Sequence, residues 1–161
     1  ELNIESNFIE DKHFSKESLK PITKEEKDLL EAGTKVHEIL EYLDFKNDNI
    51  NDFILDNFIK EKIDLFLNSD LIRKNIDKKM YKEYEFIYNE EQNELHGMID
   101  LLIERENDYI IGDYKLKDRD DSNYDKQLNG YRKFIKEKTN KEVLCYLYSI
   151  IDSRYREVIE K

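Results

Sequence analysis

The sequence predicts an α/β fold, a mixed β-sheet flanked by helices, and three observations predict it. Two segments with helical spacing come first. Three strand-length apolar runs then follow one another across short polar breaks, which favours antiparallel pairing. A helix-length segment finally separates two apolar strands, and a crossover of that length favours parallel pairing between them. A sheet with both pairing types places the chain in the α/β class.

Taken in order, residues 1–20 show no clear period and read as an irregular entry segment, with Phe8, Ile9 and Phe14 as its packing candidates. Residues 21–161 read as one domain, and a chain of 161 residues is long enough for a real core. Pro21 precedes a helix start at Thr23, where Glu26 three residues on completes a capping-box pattern. This helix runs to about Leu43, with Leu29, Gly33, Val36, Leu40 and Leu43 on one buried stripe and His37 on its flank. Gly33 on the stripe predicts close approach of a neighbour. A second helix, about Asn51 to Leu67, turns Leu55, Phe58, Ile59, Ile63 and Phe66 inward, and Ser69 caps a short helix through Ile76. From Tyr81 the period becomes two, with Tyr84, Phe86 and Tyr88 on one face and Glu83, Glu85 and Ile87 on the other. A helix over about Asn123 to Lys138, a strand over Val143 to Ile151 and an edge strand over Glu157 to Glu160 complete the chain.

The centre is the run Gly97 to Ile103, the polar break Arg105-Glu106-Asn107-Asp108, and the run Tyr109 to Lys115. A four-residue loop makes this an antiparallel hairpin in which Glu104 faces Tyr109 and Asp100 faces Asp113. Opposed residues have Cβ atoms about 4.5–5.5 Å apart, and Lys115 shares the face of Asp113. Like charges opposed in a sheet repel, and burying unpaired charge costs more. A divalent cation between the carboxylates removes the conflict, and so does a salt bridge from Lys115 to one of them. The hairpin alone leaves both open.

Composition narrows the classes. Charged residues make up 40% and hydrophobic ones 39%, but apolar runs recur throughout, which a disordered chain lacks. The net charge of −11 argues against tight non-specific binding of nucleic acid by the whole surface. A local basic strip still exists in Lys115, Lys117, Arg119, Lys126, Arg132, Lys133, Lys136, Lys138 and Lys141, a candidate path for a DNA strand. The single cysteine, Cys145, sits in an apolar run and reads as core; it excludes an internal disulfide and any multi-cysteine metal site. With no 18-residue apolar span and no signal peptide, the expectation is a soluble, cytoplasmic protein without membrane association. The first residue is Glu1, so the sequence reads as a piece excised from something larger.

Several short elements then fall in one order: Gly33-Thr34-Lys35-Val36-His37, Lys82-Glu83-Tyr84-Glu85-Phe86, Gly97-Met98-Ile99-Asp100, Asp113-Tyr114-Lys115, and Gln127 with Tyr131. This set resembles the RecB-family branch of the PD-(D/E)XK nucleases, in particular the C-terminal nuclease domain of AddA-type helicase–nucleases, over about residues 22–150. The resemblance implies the restriction-endonuclease-like fold and a metal-dependent deoxyribonuclease. It implies an exonuclease acting on single strands in recombinational DNA repair, ATP-dependent in the full-length protein. It implies His37, Asp100 and Asp113 as ligands of Mg²⁺ or Mn²⁺, with the Tyr114 carbonyl as a further ligand, and Lys115 as the catalytic lysine. Glu83 takes a supporting role, with Glu85 as the rival for that position; Gln127 and Tyr131 support the site and the DNA strand. The implied partners are DNA, a helicase portion of the same chain and an AddB-like subunit. The four cysteines that hold an iron–sulfur cluster in some relatives are missing, so no such cluster is expected. Two other readings stay open: a catalytically degenerate nuclease-fold interaction module, and an acidic protein that mimics DNA.

Overall fold

The computed structural model describes residues 23–161; the entry segment and Pro21 lie outside them. Thr23 caps the first helix, α1 (Lys24–Tyr42), by accepting the Glu26 N–H at 3.1 Å. Its buried face holds Leu30, Gly33, Val36, His37, Ile39 and Leu40. Leu29 points outward at 37% exposure, so the stripe begins one residue later than the spacing predicts and His37 faces inward instead of flanking it. A Cβ on Gly33 would lie 2.0 Å from Leu116 Cδ1, the close approach its position predicts.

The second helix is shorter than the sequence suggests. A single 3-10 turn covers Ile50–Asp52, and α2 (Asn57–Leu67) begins only after Asp56, whose carboxylate accepts the Phe58 N–H. Phe53 and Leu55 still pack on the core, but from extended chain, which mimics helical spacing. In α3 (Asp70–Arg73) Ser69 holds the capping position without capping; its hydroxyl donates backward to the Phe66 carbonyl at 2.6 Å.

The sheet contains β1 (Lys79–Glu90), β2 (Asn93–Glu104), β3 (Asp108–Lys115), β4 (Glu142–Ser149) and β5 (Arg154–Val158), in that spatial order. Pairing is antiparallel between β1 and β2, β2 and β3, and β4 and β5, and parallel between β3 and β4. The parallel pair is joined by α4 (Ser122–Thr139), as the crossover argument requires. β5 starts three residues earlier than the sequence suggests.

Each face of the sheet carries its own core. On one side α1, α2 and α3 cover Leu101, Ile103, Ile110, Tyr114 and Tyr148. On the other, Tyr124, Leu128, Tyr131 and Ile135 of α4 cover Phe86, Ile99, Leu102, Ile111 and the buried Cys145. No helix among the described residues is long and apolar enough to cross a membrane.

Candidate metal centre

The central hairpin has the predicted register. Glu104 pairs with Tyr109, and the Arg105 N–H closes the loop on the Asp108 carbonyl at 3.0 Å. The β2–β3 ladder runs to Leu101–Gly112 and stops one pair short of Asp100 and Asp113. There Asp100 Oδ2 accepts the Tyr114 N–H at 2.8 Å, so a side chain takes over the ladder's next donor. The strands fork at the two aspartates.

β1 breaks at the same level. Lys82 pairs with Leu101 and Tyr84 with Ile99. Leu101 belongs to the core under α1, where Lys82 Nζ reaches the Leu43 carbonyl and the Phe45 ring. Ile99 and Tyr84, two residues further on, belong to the core under α4. Strict alternation would keep them on one face. Both strands therefore switch faces at Glu83 and Asp100, and Glu83 adopts φ 51°, a left-handed conformation costing of order 1–3 kcal/mol in a non-glycine residue.

His37 on α1 reaches this fork. Its Nε2 lies 3.3 Å from Asp100 Oδ1 and its Nδ1 lies 3.3 Å from Glu41 Oε1, with the Tyr114 ring edge-on at 5.6 Å. His37, Glu41 and Glu83 each bring one ligand-type atom within 4.8 Å of the others. Among the described residues no N–H reaches the buried Glu83 oxygens, and their hydrogen-bonding neighbour is the carboxyl of Glu41. Burial, then the charge of Asp100, then Glu41, push Glu83 up to about 8, against the pull of His37. Burial works against the His37 imidazolium, yet Asp100, Glu41 and Glu83 outweigh it and raise the ring to about 10. The pocket thus gathers carboxylates faster than it supplies positive charge.

Asp113 and Lys115 lie on the α4 side of the fork. Lys115 is 0% exposed, with Nζ 3.3 Å from Asp113 Oδ2 and 4.6 Å from the Tyr124 ring. Burial lowers its ammonium to about 7, against the pull of Asp121. Tyr131 is raised first by burial and then by Asp113, with Asp100 contributing, and Tyr114 likewise feels both aspartates. Both carboxylates are felt by the same two phenols, but among the described residues the ligand-type atoms within 4.8 Å of one another are those of His37, Glu41 and Glu83, and Asp113 is not among them. Gln127 is half-buried on α4, one turn before Tyr131. Glu85, the rival of Glu83, is exposed and two residues beyond the fork.

The predicted residues fall into two groups, His37 with Asp100 and Glu83 on the α1 side and Asp113 with Lys115 on the α4 side, and Glu41 is the one addition to the pattern. Glu41 is absent from the sequence reading, although its spacing of four from a candidate ligand on one helix was the available signal. Glu83 was named, but its left-handed backbone was not foreseeable from alternation. The basic strip is corrected. Arg132 is buried and bonded to the Val143 and Val158 carbonyls, Lys136 pairs with Glu142 and Glu160, and Lys141 reaches the Arg105 carbonyl. Spacing on one helix cannot separate a cation that anchors strand ends from one that faces solvent. Lys117, Arg119, Lys126, Lys133 and Lys138 remain exposed, Lys138 donating to the Tyr84 hydroxyl at 2.7 Å.

The donor set suits a hard divalent ion. Mg²⁺ takes carboxylate and carbonyl oxygens, and an imidazole nitrogen makes Mn²⁺ a good substitute. The excess of acceptors around His37, from Glu41, Glu83 and Asp100, is what a cation here would relieve; without one, a proton on Glu83 shared with Glu41 relieves part of it. No protein-family model matches the chain, and no curated protein matches it.

Proposed function

We propose that this chain is a Mg²⁺- or Mn²⁺-dependent nuclease domain of the RecB-family PD-(D/E)XK type, hydrolysing phosphodiester bonds in DNA. The observation that carries the reading is a fully buried lysine, Lys115, 3.3 Å from Asp113 at the point where β2 and β3 part beside Asp100. Asp100, Asp113, His37 Nε2 and the Tyr114 carbonyl would hold the cation. When bound, it supplies Lewis-acid charge and a water of lowered pKa. Lys115, held near 7, can accept or release a proton at Nζ near neutral pH, or hold the charge that develops on a phosphate oxygen. Asp113 orients that ammonium, and Asp100 is oriented by the Tyr114 N–H. Gln127 and Tyr131 flank the same side of the fork and suit support of the site and the strand.

In context, the reading is an exonuclease acting on single strands in recombinational repair. A helicase portion of the same chain and an AddB-like subunit deliver the strand. The test is degradation of end-labelled single-stranded DNA by this chain. Cleavage with Mg²⁺ or Mn²⁺ that stops with a chelator is expected. A folded preparation inert on single-stranded, duplex and tailed DNA in both metals contradicts the reading for this chain.

A further inference from the structure

We propose that Glu41 is a positioning residue for His37: it holds the Nδ1 proton of the imidazole, so that Nε2 is aimed at Asp100 and at the cation the two would share. The inference rests on reading His37 and Asp100 as cation ligands. His37 and Glu41 stand one helical turn apart on α1, a spacing that stacks side chains on one face. The two ring nitrogens are divided between two carboxylates, Nδ1 toward Glu41 and Nε2 toward Asp100, each at 3.3 Å. A ring that gives its Nε2 lone pair to a cation keeps one proton, on Nδ1, and the doubly protonated ring of the metal-free site carries that same Nδ1 proton. Asp100 already accepts the Tyr114 N–H at 2.8 Å. Glu41, by contrast, lies against another carboxyl, Glu83, whose oxygens meet no N–H of the described residues. A proton on Nδ1 therefore brings a donor to the side of the ring where carboxylates are crowded and donors are scarce. Burial of the ring and the edge-on Tyr114 contact fix its plane, so the choice of nitrogen is also a choice of direction. Ligating histidines commonly donate their second N–H to such a carboxylate, and losing it costs 10–100-fold in metal affinity.

The test compares the wild-type chain with Glu41→Ala and Glu41→Gln, since glutamine keeps an acceptor oxygen at the same reach. Proton–nitrogen NMR in chelator reads the His37 Nδ1–H, and calorimetric titration reads Mn²⁺ affinity. A protected downfield Nδ1–H signal is expected in the wild type and Glu41→Gln and not in Glu41→Ala. Mn²⁺ affinity should fall about 10–100-fold in Glu41→Ala and stay close to wild type in Glu41→Gln. An Nδ1–H signal that survives in Glu41→Ala overturns the proposal. Equal loss of Mn²⁺ affinity in both variants also overturns it and makes Glu41 a ligand, with His37 and Glu83, of a cation of its own. A wild type that takes up no Mn²⁺ sinks the cation reading instead, while the NMR signal still decides whether Glu41 holds the ring.

Discussion

Arg132 and His37 are each 3% exposed, one under each face of the sheet, and their surroundings differ in kind. Around Arg132 each nitrogen has an acceptor: Nε reaches the Val143 carbonyl, Nη2 the Val158 carbonyl and Nη1 the Asn129 side chain, at 2.6–3.1 Å. That cation ties α4 to β4 and β5 and leaves nothing for a ligand to do. Around His37 the excess is of acceptors, with Glu41, Glu83 and Asp100 crowding a single ring. Buried charge whose nitrogens all meet acceptors belongs to structure; buried carboxyls short of donors either keep a proton, as Glu83 does, or suit a cation.

The largest effects should separate these two regions by what they disturb. Lys115→Ala should lower cleavage by about 10²–10⁴-fold while the chain stays folded, because the ammonium acts on the reacting phosphate. Arg132→Met should do the reverse, leaving cleavage per folded molecule near wild type. It should destabilise by about 1–3 kcal/mol for each carbonyl left unsatisfied. Single-turnover cleavage beside urea unfolding of both variants checks this, and a Lys115→Ala that cleaves normally breaks the comparison.

Next in size is the packing behind the fork. A Cβ on Gly97 would lie 2.2–2.7 Å from the Phe86 ring, which is stacked on Phe134 at 4.3 Å and held edge-on by Tyr131. Gly97→Ala should therefore cost about 1–3 kcal/mol by overpacking. Gly33→Ala meets mainly one methyl of Leu116, which can swing away, and should cost less. Thermal melts of the two variants give the order, and the reverse order would show that the Phe86 stack yields more readily than the geometry indicates.

The smallest effect sharpens the charge argument. With its folded pKa raised from 4.5 to about 8, Glu83 holds its proton in the folded state where the unfolded chain has lost it. The stability this contributes is whole below about 4.5 and is lost as pH rises through about 8. Glu83→Gln removes that loss and gives Glu41 an amide donor. In chelator its melting temperature should exceed the wild type's by a margin that widens from pH 5 to pH 8. A constant or shrinking margin would mean that Glu83 is ionised throughout and already satisfied.

Much of this was legible in the sequence because it depends on local chemistry. The polar loop 105–108 and period-two alternation sufficed for the β2–β3 register, and the crossover helix sufficed for the parallel pair. What escaped depends on contacts between distant segments. Leu29 and Leu30 are equivalent by hydropathy, and only packing on the sheet selects Leu30 and so turns His37 inward. Phe53 and Leu55 pack from extended chain, so spacing extended α2 too far. The switch of faces at Glu83 and Asp100 breaks the very alternation from which strands are read.

The central claim is that the fork between β2 and β3 is a divalent-cation site in which Asp113 is a ligand and Lys115 is not. Calorimetric titration of Mn²⁺ into the wild type, Asp113→Ala and Lys115→Ala tests it most directly. The account predicts saturable binding in the wild type, its loss in Asp113→Ala and its retention in Lys115→Ala. Binding that survives in Asp113→Ala, or disappears in Lys115→Ala, would contradict it.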